Sequence, residues 1–173
     1  MSSSGEDPKP PRDELFQKVF DDHWAAVRHH VEGVVSDDGQ VTEIVSEVFL
    51  RAWTHLDVRR PPDRIWLLRT ADGILRDHPH GHGAASPHVA AVPESLGGGE
   101  ADDAERVVAV RRALAVLRPR DRRIIMLTYW DGLSVGEIAE LWRRPQAIVR
   151  RRLARAEMRL RAALTSEGVI VDD

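Results

Sequence analysis

Apolar residues recur at spacings of three and four in seven stretches of the 173-residue chain, and no stretch alternates as a half-buried strand would. The first predicted helix runs from Asp13 to Val35, with Leu15, Val19, Trp24, Val27 and Val31 on one stripe. "SDDGQ" breaks it. A second helix covers Val41–His55 and carries Ile44, Val45, Val48, Phe49 and Trp53. Pro61 and Pro62 make continuation costly. A third begins near Asp63 and places Ile65, Trp66, Leu68 and Leu75 inward on the way to His78.

The helical period then stops. Residues 79–101, rich in Gly, Pro and His, read as a flexible linker. Helices resume over Ala104–Leu117 and Arg120–Trp130, the second placing Ile124, Ile125, Leu127 and Thr128 inward. "DGLS" turns the chain, and Ser134 with Glu137 three residues later has the spacing of a capping box. The short helix it opens, 135–142, buries Ile138, Ala139 and Leu141 or Trp142. After "RRP" the last helix spans Gln146–Leu164, with Val149, Leu153, Ala156 and Leu160 inward. The expected fold is therefore all-α: two small helical domains joined by a flexible linker, over residues 13–78, 79–103 and 104–165.

A short helix, a tight turn and a longer basic helix make a helix-turn-helix. The first helix braces the second, which presents its free face to a major groove. With Val149 and Leu153 buried, that face comprises Gln146, Ala147, Arg150, Arg151 and Ala154. Arg143 and Arg144 sit at the turn. Arg150, Arg151, Arg152 and Arg155 form a cationic band. Phosphate neutralisation would supply most of the affinity, while Gln146 or Arg150 reads base edges. The plainer alternative is a solvated arginine-rich helix in a bundle.

Charge favours the first of these. The net charge of −3 argues against a nucleic-acid partner until it is divided along the chain. Residues 1–104 hold 10 Lys+Arg and 19 Asp+Glu, whereas residues 105–161 hold 15 Arg and 6 acids. A basic unit tethered to an acidic one can hold phosphate with one half and a protein with the other.

Other chemistry finds little support. Cys is absent, which removes disulfides, thiolate nucleophiles and Cys-based metal sites. His78, His80, His82 and His88 cluster in the linker without acidic or Cys ligands at fixed spacing, so no metal or cofactor is expected. Neither a nucleophile elbow nor a phosphate-binding Gly loop occurs, and the carboxylates form no spaced pair. No enzymatic activity is expected. The N-terminal residues lack the apolar core of a signal peptide and no apolar run is long enough to cross a bilayer, so the expected location is the cytoplasm.

"LRPRDRRIIMLTYWDGLSVGEIAELW" and "VRRRLARAEMRLRAAL" resemble region 4 of the extracytoplasmic function (ECF) group of RNA polymerase sigma factors. "VTEIVSEVFLRAWTHLD" resembles the group's region 2 helix that docks on the β′ clamp coiled-coil. The resemblance implies a promoter-directing initiation factor that binds core RNA polymerase through the β′ clamp and β flap. It also implies promoter DNA as a partner and an anti-sigma factor as a regulator. It places Glu43, Glu47, Leu50 and Arg51 against polymerase, and Arg143, Arg144, Gln146, Ala147, Arg150, Arg151, Arg152 and Arg155 against the −35 element. Arg143 stands where the group commonly has a turn glycine, and Ile148 where it has threonine.

"WLLRTADGILRDHPH" resembles the helix that reads and melts the −10 element, with departures. Asp72-Gly73 replaces the common Arg-Asn, and Pro79-His80 replaces a basic tail. Arg60, Arg64, Trp66, Arg69 and Arg76 remain as −10 contacts, and Asp72 would set a negative charge near DNA. The alternative reading is a sigma-like regulator that binds polymerase or DNA without melting the −10 element. A generic helix-turn-helix regulator, paired with a second copy of itself, is a third.

Overall fold

The computed structural model describes residues 12–77 and 101–169, with side chains of the second stretch from Glu105 onward. The histidines at 78–88 and the linker reading up to residue 100 lie outside the described residues, while residues 101–103, expected in the linker, already belong to a helix. Helices dominate: α1 (Arg12–Glu32), α2 (Asp38–Thr54), α3 (Arg64–Asp77), α4 (Ala101–Val116), α5 (Pro119–Ile125), α6 (Val135–Trp142) and α7 (Gln146–Ser166). Among the described residues the only β feature is a single bridge between Asp57 and Arg60.

Local chemistry sets most boundaries. Asp37 caps α2 by accepting from the Gln40 amide. Asp63 does the same for α3, accepting from the Trp66 amide at 2.7 Å. Pro119 opens α5 at a position where a missing N–H costs nothing. The capping box of α6 forms: the Ser134 hydroxyl accepts from the Glu137 amide, and the Glu137 carboxylate accepts from the Ser134 amide.

The expected Arg120–Trp130 helix is interrupted. After Ile125 the chain widens into a π-helical turn, Met126–Trp130, closed by the Asp131 amide on the Met126 carbonyl. Such a turn shifts the following residues around the axis and is common at functional sites. Here it carries Trp130 and Asp131 to the N-terminal helices.

α1, α2 and α3 pack on one another, and α7 gathers α4, α5 and α6. The two groups are not apart: α3 packs against α6, and one cluster of buried apolar residues runs through both. Val19, Val27, Val31, Val48, Leu67, Leu68 and Ile74 fill the first group; Leu114, Ile124, Leu127, Ile138, Val149 and Ala156 fill the second. Trp24 and Trp53 depart from the inward stripe and are each more than a third exposed. Phe16 meets Trp53 edge-on at 5.1 Å, and Arg12 lies over the same ring, so the tryptophan covers the core margin rather than filling it.

Candidate nucleic-acid interface

The helix-turn-helix is built around Val149 and Ala156, which α7 buries while Leu153 and Leu160 lie half-covered beside them. From α6, Ile138, Ala139 and Leu141 are buried as well. This contact fixes which side of α7 is free. Gln146, Ala147, Arg150, Arg151 and Ala154 are all exposed, as the period requires. Arg155 is exposed too, whereas Arg152 is half-buried on the flank facing Arg118–Asp121.

Arg143 ends α6 at φ 51° and ψ 50°, a left-handed conformation usual for glycine. Its amide bonds to the Glu140 carbonyl, and the Arg144 amide reaches back to Ala139 at 2.9 Å. The turn geometry thus survives without its common glycine, at a steric cost of about 1–2 kcal/mol for a residue bearing a Cβ. In return, two exposed guanidinium groups stand at the entry to α7.

On α2, Glu43, Glu47, Leu50 and Arg51 share one face. Glu43 and Leu50 are exposed, Leu50 by 65%. Arg51 donates to Glu47 at 2.5 Å, one turn apart. The result is an apolar knob bordered by charge.

The α3 arginines are dispersed. Arg60 and Arg76 are exposed at opposite ends of the helix. Arg64 donates to the Asp131 carbonyl at 2.5 Å, and Arg69 to the Glu140 carbonyl at 2.8 Å. Trp66 is half-buried near His55. The five residues form no single surface in this arrangement, because the helix-turn-helix group takes two of them.

The family model for sigma-70, region 4 matches residues 108–160, the span that holds this helix-turn-helix. The ECF RNA polymerase sigma factor SigC of Mycobacterium tuberculosis (strain CDC 1551 / Oshkosh) is 33% identical over 128 residues, covering 70% of this chain and 69% of that protein. The chain belongs to the ECF RNA polymerase sigma factors. As a sigma factor it directs core RNA polymerase to promoters in transcription initiation and binds DNA. It is also 28% identical to the ECF sigma factor SigL of Mycobacterium tuberculosis (strain ATCC 25618 / H37Rv), over 90% of this chain and 92% of that one. Its fold is similar to that of CnrH in a structure of CnrH in complex with the cytosolic domain of CnrY. There the TM-score is 0.61 at 24% identity, covering 89% of this chain and 90% of that chain. Among the described residues, no helix is long and apolar enough to cross a membrane.

Several residues that organise this sigma factor carry no motif. Arg122 is buried, and its guanidinium donates to the carbonyls of Leu114, Ala115 and Leu117 at 2.7–3.0 Å. It thereby satisfies the orphan end of α4, and burial lowers its pKa. Between the helix groups, His30 of α1 is buried between two carboxylates. Its Nδ1 lies 3.0 Å from Asp131, and its Nε2 lies 3.0 Å from Asp72. Arg123 donates to Asp72 at 2.5 Å. His29 stacks on Trp130 with ring centroids 4.3 Å apart. Asp72, read from the sequence as a negative charge near DNA, is paired in this arrangement with Arg123 of the other helix group. The signal available was a carboxylate on a face otherwise occupied by arginines.

Proposed function

We propose that this sigma factor engages its promoter at two places, with α7 in the major groove of the −35 element and the α3 end at the −10 element. The outer face of α7 carries the reading, because its arginines are exposed while its apolar side is committed to α6. Gln146, Ala147 and Arg150 face base edges; Arg143, Arg144, Arg151, Arg152 and Arg155 serve phosphates. Residues 104–165 form this region 4-like unit, 13–78 the region 2-like unit, and 79–103 the tether. Glu43, Glu47, Leu50 and Arg51 dock on the β′ clamp, where charge sets register and Leu50 adds apolar contact. The region 4-like unit also meets the β flap. Arg60, Arg64, Trp66, Arg69 and Arg76 serve the −10 element.

The protein performs no catalysis itself and acts in the cytoplasm. An anti-sigma factor is a further partner, a reading supported by the complex of CnrH with the cytosolic domain of CnrY. Geometry adds a requirement. The −10 and −35 elements lie about 25 base pairs apart, roughly 85 Å of duplex. Because α3 and α6 touch, both elements cannot be held at once until the helix groups separate.

Run-off transcription with purified core polymerase and mapped promoter fragments tests this reading. Transcripts should start downstream of one consensus and vanish when its −35 bases are changed. Binding to core without any promoter-dependent transcript would reject it.

A further inference from the structure

The seam between the helix groups is held by ionised groups in balance. Two carboxylates, Asp72 of α3 and Asp131 of the turn before α6, face His30 of α1 and Arg123 of α5. Arg76 stands beside Asp72. Arg64 bonds the Asp131 carbonyl and lies 3.8 Å from Glu137 of α6, while His29 lies alongside on Trp130. With His30 protonated, the four central groups sum to zero. With it neutral, Nε2 accepts from Arg123, 3.0 Å away, and the four central groups are left with one net negative charge beside Arg76.

The seam is also incompletely satisfied. Arg64 Nε, Arg69 Nε and Asp131 Oδ1 are buried without a hydrogen-bond partner. Each regains water when the groups part, which lowers the cost of opening this interface. Its closed form uses Arg64 and Arg69 on carbonyls of the other group.

We propose that His30, Asp72, Arg123 and Asp131 form a proton-dependent latch that holds the free sigma factor closed, with α3 covered, until core polymerase draws the halves apart. The latch rests on the two-site promoter reading only for its consequence; the closure itself is a separate matter. Burial and the Arg123 guanidinium oppose the charged imidazole, but the hydrogen bonds it donates to Asp131 and Asp72 outweigh them, so the pKa of His30 is raised in the closed form. The sign follows. Closure gains its full benefit below the ordinary imidazole range and loses it as pH rises through the raised value.

Absence of native Cys allows clean double labelling of the full chain at Ala25→Cys on α1 and Ala162→Cys on α7, both exposed. Energy transfer between the labels should be high at pH 6 and fall as pH rises past the ordinary imidazole value, with far-UV circular dichroism unchanged. His30→Gln should remove the pH dependence, and Asp131→Asn should lower transfer at pH 6. The unsubstituted seam titrated over pH serves as the measurement free of folding risk. Transfer that is flat with pH, or the same in both seam variants as in the parent while they stay folded, overturns the latch.

A second readout separates the two readings. The outer face of α7 is already exposed in the closed form, so in the absence of core release should tighten binding of a single-stranded −10 oligonucleotide at α3, about tenfold where the closed form outnumbers the open one tenfold. Lower transfer in Asp131→Asn with no gain in oligonucleotide affinity leaves the latch standing and removes the α3 arginines as the −10 contacts.

Discussion

Arg64, Arg69, Arg122 and Arg123 give N–H groups to carbonyls and a carboxylate within the protein, whereas Arg143, Arg144, Arg150 and Arg151 stand in solvent. The side chain is the same in both sets. What differs is the surface opposite. Around Arg122 the backbone presents three carbonyls that no helix can satisfy. On the outer face of α7 the guanidinium groups are exposed to solvent, so the charge remains available to a phosphate. Arginine content by itself therefore says little about a binding face. The partner that each guanidinium has, or lacks, says most of it.

The most severe way to break this contrast is Arg122→Ala. The buried carbonyls of Leu114 and Leu117 and the part-buried carbonyl of Ala115 lose their donor, and a fork that joins α4 to α5 disappears. The expected loss is about 3 kcal/mol of stability, read as a lower urea midpoint with an unchanged slope. Arg122→Lys should recover only part of it, since an ammonium cannot reproduce the planar fork. An unchanged midpoint in Arg122→Ala would mean that the buried arginines are as dispensable to the fold as the exposed ones.

Arg150→Glu with Arg151→Glu is the matching change on the other side. Stability should stay within about 0.5 kcal/mol. Affinity for a −35 duplex should fall about a hundredfold, and the salt dependence of binding should become shallower by roughly two phosphates or more. Anisotropy titrations at several salt concentrations measure both. Equal affinity in the doubly reversed variant would reassign α7 to a structural role.

The exposed set was legible from sequence because a 3.6-residue period, once Val149 and Leu153 are placed inside, dictates what lies outside. The same arithmetic located α6 and its cap, Ser134 and Glu137. The family resemblance, not the period, singled out Glu43, Glu47, Leu50 and Arg51 on α2. The internal set was not legible. Arg122 sits among six residues that include four arginines, "RPRDRR", and nothing in that run marks which one turns inward. Asp72 looked like a misplaced charge because its partner, Arg123, is 51 residues away. His30 was one of two adjacent histidines on a helix stripe, and its carboxylate at Asp131 is brought there by a π-helical turn that no local propensity announces. Long-range pairing across the seam is what the periodic reading could not supply.

Arg143 belongs to both sets and sharpens the comparison. It is exposed, yet its backbone is constrained by the turn. Arg143→Gly removes the Cβ clash and should raise stability by about 1 kcal/mol. It also removes one cation at the entry to α7, so duplex affinity should fall about two- to threefold. Stability and binding moving in opposite directions identifies a residue kept for its charge against its conformation. A loss in both would show that the arginine side chain packs the turn.

The smallest effect expected comes from Glu137, where a cap and a seam arginine meet. The Ser134 amide, then its hydroxyl, holds the Glu137 carboxylate below its usual range, with Arg64 adding a lesser pull from 3.8 Å. A depressed carboxylate stabilises the fold above its ordinary pKa, and that contribution is lost as pH falls through the lowered value. Glu137→Gln cannot titrate. The stability difference between the parent and this variant should therefore be constant near neutrality and close only in acid, as followed by thermal melts from pH 7 to pH 3. Ser134→Ala should cost about 1 kcal/mol at neutral pH by removing the cap. Arg64→Met should leave the acid midpoint of that difference nearly in place, because Arg64 acts chiefly through its bond to the Asp131 carbonyl. A large shift of the midpoint on losing Arg64 would instead make the seam arginine an electrostatic partner of α6. The division between arginines spent on the backbone and arginines acting through charge would then have to be redrawn at that position.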